Sequence, residues 1–287
     1  MTSDHPTAQD LRQAQARFSR EARLRDFRTP RYHGQLIDWG RSDRPPLVFV
    51  HGMSDQPMSF LMVMAHLVER GYRCLAYPLP HGRGDGANLG MYRHPDYVRD
   101  LVTILDDLGL EQIDLVGSSF GTTISQRMLI NAPSRVRRCV LLNGFPRRPL
   151  MRIERGLARL ARYWHWQMRD LIIREQVMAR LEAEQFAGCP TEIYRYMLDV
   201  SGVTPCRAAA RRTLIIDKLD LRPFLGQIPH PVLMIGGNQD VIVPKVYEME
   251  LFQGLKNVRR IELSPCGHYP QYTMPGPVAQ HIDEFLG

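Results

Sequence analysis

Ser119, Asp240 and His268 are three residues whose types, taken together, could perform acyl transfer. A serine hydroxyl is a weak nucleophile until a base removes its proton. Histidine can do so near neutral pH, and a carboxylate can fix the histidine tautomer and stabilise the imidazolium that forms. Ser119 is the middle of Gly117-Ser118-Ser119-Phe120-Gly121, Asp240 closes Gly236-Gly237-Asn238-Gln239-Asp240, and His268 follows Gly267. They lie far apart along the chain, so only a fold that gathers them could make them work as one.

The flanking residues indicate how that gathering would occur. Ile113-Asp114-Leu115-Val116 is a short, mostly apolar run, and a helical pattern through Met128 and Leu129 follows the serine. Glycines two residues to either side relieve crowding at a tight strand-to-helix turn, which lifts Ser119 rather than Ser118 above the strand end. The helix that begins there directs free N–H groups and its positive end toward developing negative charge. Asp240 lies a few residues past the apolar run Pro231–Ile235, and His268 follows the strand pattern Val258–Leu263. In an open parallel sheet the carboxyl ends of the strands share one crevice, so these loops converge.

A fourth loop belongs to the same edge. Leu47-Val48-Phe49-Val50 reads as a strand covered on both faces, and His51-Gly52-Met53-Ser54-Asp55 follows it. The backbone N–H groups of Met53 and Phe120 are the expected oxyanion donors. His51 is read as a brace for its loop rather than as a base.

The remaining pattern places helices between these strands. Residues 8–28 read as a helical lead-in, 32–39 as a strand, 57–70 as a helix closed by Gly71, 72–77 as a strand and 95–108 as a helix ended by Gly109. The glycine-rich loop Pro78–Gly86 lacks the lysine and spacing of a phosphate-binding loop and reads as a structural turn. Arg138–Gly144 is the next strand. The alternation then breaks over a long, mostly helical span with Trp164, Trp166, Met168, Leu171, Ile172, Met178 and Leu181 early and Tyr194, Tyr196, Met197 and Leu198 later. Such a span is too long for a crossover loop and reads as an inserted cap whose Trp/Met stripe either packs internally or lines an apolar pocket. The sheet then resumes, and a helix over 276–286 closes the chain. The fold class is α/β: a mostly parallel central sheet with helices on both faces. Its expected parts are an N-terminal helical arm (1–31), a core in two pieces (32–145 and 226–287) and a helical cap (146–225).

Composition narrows the function classes. The chain has 287 residues and a formal net charge of +7. Residues 146–225 hold 15 Lys/Arg against 9 Asp/Glu, so most of the excess lies in that segment. It reads as a solvated arginine-rich helical surface, with attraction of an anionic partner as the alternative. No nucleic-acid-binding signature accompanies it. No run of about eighteen apolar residues spans a membrane and no apolar leader stands near the N-terminus, so a cytoplasmic location without stable membrane insertion is expected. Cys74, Cys139, Cys189, Cys206 and Cys266 have no paired metal-ligand spacing and read as reduced; Cys266, near His268, is not the expected nucleophile. The sequence requires neither a metal nor an organic cofactor.

His51-Gly52-Met53, the serine turn, Gly236–Asp240 and Gly267-His268, in that order, make residues 32–287 resemble an α/β-hydrolase of the capped type. The resemblance implies Ser119 as nucleophile, His268 as general base and Asp240 as its orienting acid. The alternative acid position of some relatives falls near Asn143, which carries no charge. It also implies a small-molecule substrate with an apolar acyl part, an ester or thioester. Carbon–carbon cleavage or acyl transfer on the same triad is the alternative, and ligand binding or partner docking without turnover is a further one. A serine in place of an Asp nucleophile departs from haloalkane dehalogenases and epoxide hydrolases. His-Gly-Met-Ser departs from the His-Gly-Gly-Gly of many lipases.

Overall fold

The computed structural model describes residues 5–171 and 185–287. Eight strands form one sheet: β1 (Arg23–Arg28), β2 (His33–Trp39), β3 (Leu47–Val50), β4 (Cys74–Ala76), β5 (Ile113–Ser118), β6 (Val136–Leu142), β7 (Val232–Gly237) and β8 (Val258–Leu263). Their order is β1-β2-β4-β3-β5-β6-β7-β8. β2 pairs antiparallel with β1 and β4, and every pairing from β4 to β8 is parallel. Alternating helices and strands thus produce the expected mostly parallel sheet.

Side-chain alternation along the central strands feeds two cores. Leu47 and Phe49 of β3 join one with helices Ala8–Glu21, Leu61–Glu69 and Pro275–Leu286. Val48 and Val50 join the other with helices His94–Asp107, Phe120–Asn131 and Lys245–Gly254. All four residues of β3 are buried, as a strand covered on both faces requires.

One reading is corrected. The lead-in helix stops at Glu21, and Arg23–Arg28, read as helical, is the edge strand β1. Its register, Arg23 opposite Asp38 through Arg28 opposite His33, is set by β2, and only Phe27 of its side chains is buried. An edge strand with one inward side chain carries no apolar alternation to read. The helix before it is anchored by Leu11 and Ala14, and Phe18 meets Trp39 edge-on at 5.6 Å.

Between β6 and β7 the chain leaves the sheet for helices including Arg152–Ala161, Thr191–Gly202 and Cys206–Ile216. Ile172, Met178 and Leu181 lie outside the described residues. No helix among the described residues is long and apolar enough to cross a membrane.

Candidate active site

The serine turn is built by close approach. A Cβ on Gly117 would lie 2.5 Å from Ser125 Oγ and 2.7 Å from Gly121 O, and one on Gly121 would lie 2.0 Å from Val50 O. The helix therefore starts hard against the end of β3, and the residue between the glycines adopts φ 51°, ψ −115°. A non-glycine residue held at positive φ pays in backbone strain and is presented sharply. That residue is Ser119; Ser118 remains in β5 with its side chain buried.

Three strand ends converge on it. Ser119 Oγ lies 3.0 Å from His268 Nε2, and His268 Nδ1 lies 2.8 Å from Asp240 Oδ2. The order Ser119, His268, Asp240 is an unbroken hydrogen-bonded line. The Asp240 carboxylate is fully occupied: Ile242 and Val243 N–H donate to Oδ1 at 2.8 and 2.9 Å, and Asn143 Nδ2 donates to Oδ2 at 2.7 Å. Burial alone would raise its pKa, but the charge and hydrogen bond of His268, the Val243 N–H and the Asn143 amide outweigh it and hold the carboxyl below its ordinary value. It is thus ionised and oriented at neutral pH, with His268 Nδ1–H as the donor to it.

Of the two expected oxyanion donors, Met53 borders the space beside Ser119, and Phe120 directly follows Ser119 in the chain. Phe120 is the first residue of helix Phe120–Asn131, where N–H groups lack an intrahelical acceptor. Gly52 lies against the serine: its Cβ, if present, would sit 3.5 Å from Ser119 Cβ. Met53 lines both cavities that reach Ser119. His51 is tied at both ring nitrogens, Nδ1–H to Gly52 O at 2.9 Å and Nε2 from Leu79 N–H at 3.0 Å. Burial, then the charge of Arg212, puts its pKa well below normal, so it stays neutral and holds the loop.

A cavity of about 90 Å³ bounded by Gly52, Asp55, Met197 and Tyr269 lies beside Ser119 and His268. A larger one, of about 400 Å³, runs from Ser119 under the helical excursion and is lined by Phe145, Leu157, Trp164, Met168 and Ile216 among others. Trp164, Met168 and Leu171 of the Trp/Met stripe therefore face a pocket, whereas Trp166 is 59% exposed and outside that lining. Tyr194 instead packs on Phe186, and Tyr196 donates to Met58 O at 2.8 Å. The loop Pro78–Gly86 is a structural turn: Asp85 Oδ2 accepts from His81 and Gly82 N–H at 2.8 and 3.2 Å. Cys266 is buried, and burial pushes its thiol up to about 11, which leaves it unreactive at neutral pH. Among the described residues no group of three or more His, Cys, Asp or Glu could hold a metal ion.

Several site residues escaped sequence reasoning. Asn143 was legible only as a polar residue at a strand end, and its donation to Asp240 needs the fold. Gln185 accepts from His268 N–H at 2.7 Å and donates to Gln239 O at 2.8 Å, joining two catalytic-edge loops. Arg212, fully buried, donates to Met53 O at 2.5 Å and to Leu79 and Pro80 O at 3.2 and 3.1 Å. No local signal announces either.

Asp55 is a buried carboxyl beside the small cavity, accepting from Tyr272 Oη at 2.6 Å. Burial raises its pKa from 3.8 to about 6 in spite of that hydrogen bond. The raised value means that the contribution of Asp55 to stability is fully present below its unfolded pKa and is lost as pH rises through about 6. Two units correspond to about 3 kcal/mol. Asp55→Asn is therefore expected to flatten the wild type's stability profile by about that amount between pH 4 and 7. Urea unfolding across that range measures it, and parallel profiles for the two proteins would disprove the assignment.

Comparison with known proteins gives the family. The family model of the alpha/beta hydrolase fold matches residues 45–275. The chain belongs to that family. It is a hydrolase of the α/β fold. A 2-hydroxymuconate semialdehyde hydrolase of Pseudomonas putida is 28% identical over 207 residues, covering 69% of this chain and 70% of the relative. A pimeloyl-[acyl-carrier protein] methyl ester esterase of Nitrosomonas europaea is 26% identical, covering 80% and 91%. The crystal structure of a hydrolase from Pseudomonas aeruginosa PA01 superposes with a TM-score of 0.78 at 19% identity, over 92% of this hydrolase and 98% of that chain.

Proposed function

We propose that the hydrolase cleaves a carboxylic ester or thioester by way of an acyl-enzyme on Ser119. His268 Nε2 takes the Ser119 proton as Oγ attacks the substrate carbonyl, and Asp240 holds His268 Nδ1–H and stabilises the imidazolium. The Met53 and Phe120 N–H groups receive the oxyanion. Collapse of the tetrahedral intermediate expels the alcohol or thiol, which takes the proton from His268. Water, deprotonated by His268, then releases the acid and restores Ser119. The excursion over 146–225 acts as the cap on a core of 32–145 and 226–287, to which the edge strand Arg23–Arg28 is added, with the helix Ala8–Glu21 as an arm. The observation that carries this reading is the hydrogen-bonded line from Asp240 to Ser119 at the end of an apolar cavity.

That cavity favours a substrate with an apolar acyl part. Each buried methylene is worth about 0.8 kcal/mol, so lengthening an acyl group by four methylenes is expected to raise kcat/KM about 200-fold. Carbon–carbon hydrolysis is the second reading, favoured by the Pseudomonas putida relative named for such a substrate. A p-nitrophenyl ester series from acetate to decanoate, run beside a vinylogous β-diketone, separates the two. Esters peaking at medium acyl length with slow diketone turnover are expected, and the opposite ranking would replace ester cleavage by carbon–carbon cleavage.

A further inference from the structure

The cations of the excursion are divided between two faces. On helix Arg152–Ala161, Leu157, Ala158 and Ala161 line the cavity that reaches Ser119, while Arg159 and the following Arg162 line a different cavity of about 520 Å³. Helix Cys206–Ile216 divides in the same way, with Ala209, Ala210 and Thr213 toward Ser119 and Arg211 toward the second cavity. Lys218 adds a fourth cation from the excursion, and the core supplies Arg93 and Arg127.

Five arginines, one lysine and one carboxylate, Asp217, thus line one cavity. Asp217 is already engaged by Arg155, at 2.6 and 2.8 Å, and by Leu150 N–H at 3.0 Å. None of the six forms an ion pair with a carboxylate among the described residues, whereas Arg135 and Arg147 elsewhere on the surface do. Arg211 spends one amino group on Gly90 O and Tyr92 O, and its Nε is buried without a partner among the described residues. Arg127 points Nε at His94 Nδ1, 3.4 Å away, and its charged form is disfavoured by burial. His94 bonds Thr123 Oγ1 through Nε2 at 2.9 Å and stays neutral, so it adds no further positive charge to the cavity.

Like charges around one cavity repel, and Asp217, which attracts Arg159 but is held by Arg155, does not offset them in full. A bound anion would. A single carboxylate would leave most of the six unpaired, whereas guanidinium forks match phosphoryl oxygens two at a time. The volume lies in the range of small-molecule sites. We propose that this cavity binds a compact polyanion with two or more phosphoryl groups, clamped between Arg93 and Arg127 of the core and Arg159, Arg162, Arg211 and Lys218 of the excursion. The same two helices separate this site from Ser119, so it stands or falls independently of the reaction.

Calorimetric titration of the full chain with orthophosphate, inorganic pyrophosphate and ADP at fixed ionic strength tests this, with melting temperature as a second readout. One-to-one pyrophosphate binding is expected, at least tenfold tighter than orthophosphate and raising the melting temperature. Equal binding of ADP and pyrophosphate assigns recognition to the free pyrophosphate group; tighter ADP adds a nucleoside contact. In either case Arg159→Ala/Lys218→Ala is expected to weaken binding about 100-fold, at about tenfold per cation removed. Neither side chain makes a hydrogen bond or ion pair in the described residues, and Arg159→Gln alone, with an expected loss of about tenfold, serves if the double variant does not fold. Arg12→Ala, on the exposed face of the N-terminal helix, should bind as wild type. No binding of pyrophosphate or ADP, or binding that the Arg159 variants leave unchanged, overturns the proposal.

Discussion

His268→Ala is expected to lower kcat on the best ester by about a millionfold, the scale on which loss of one member disables a hydroxyl–imidazole–carboxylate unit. The magnitude follows from what the imidazole does at both nitrogens. Nε2 lies 3.0 Å from Ser119 Oγ, and Nδ1 lies 2.8 Å from Asp240 Oδ2. Without the ring, the serine proton has no acceptor and Asp240 has nothing to orient. Asp240 itself keeps three other donors, Ile242, Val243 and Asn143, so the carboxylate is not left bare. The variant should therefore fold, and its melting curve should stay near that of the wild type. Steady-state kinetics beside thermal unfolding separate the two effects. Activity within tenfold of wild type would remove His268 from the reaction; loss of activity together with loss of fold would make its role structural.

Gly121→Ala is expected to give the largest loss of stability. The new methyl carbon would sit 2.0 Å from Val50 O, 2.7 Å from Val50 C and 2.9 Å from His51 O. These are backbone atoms at the end of a central strand, and no rotamer change relieves the clash. Helix Phe120–Asn131 would have to move away from β3, carrying Ser119 and the Phe120 N–H with it. Overpacking of this kind costs about 3 kcal/mol or more. Gly156→Ala is the matched control: it lies within helix Arg152–Ala161 with nothing within 4 Å of the added carbon. There the substitution should stabilise by about 1 kcal/mol, the ordinary helix preference for alanine. Urea unfolding of both variants measures the contrast, and a Gly121→Ala protein as stable as wild type would show that the serine turn tolerates a side chain.

The sheet was legible where burial on both faces writes itself into the sequence. β3 and β7 are nearly unbroken apolar runs; the candidate residues Ser119 and Asp240 follow the mostly apolar β5 and β7, whereas His268 follows β8, where Arg259, Arg260 and Glu262 interrupt the pattern, so its convergence rests on parallel topology. β1 was not legible, because Arg23–Arg28 is held by pairing with β2 rather than by an apolar face. Within the site, Ser119, Asp240 and His268 carry a chemical type and a local motif. Asn143, Gln185 and Arg212 carry neither: each is defined by a partner more than fifty residues away along the chain, an approach that only the packed fold creates. Asp55 lies between these cases. Its acid and its place after Gly52 are visible in the sequence, whereas the burial that raises it to about 6 is not. The Trp/Met stripe was ambiguous for a similar reason, since helical spacing does not tell a pocket wall from an exposed face.

The central claim is that Ser119 is an activated nucleophile, and the most direct measurement is the intact mass of the protein after exposure to a small fluorophosphonate, with Ser119→Ala treated alongside. A single phosphonyl adduct on the wild type, mapped to Ser119 by peptide mass, and none on the variant is the expected result. An unmodified wild type, or an adduct of equal yield on both proteins, would contradict the claim.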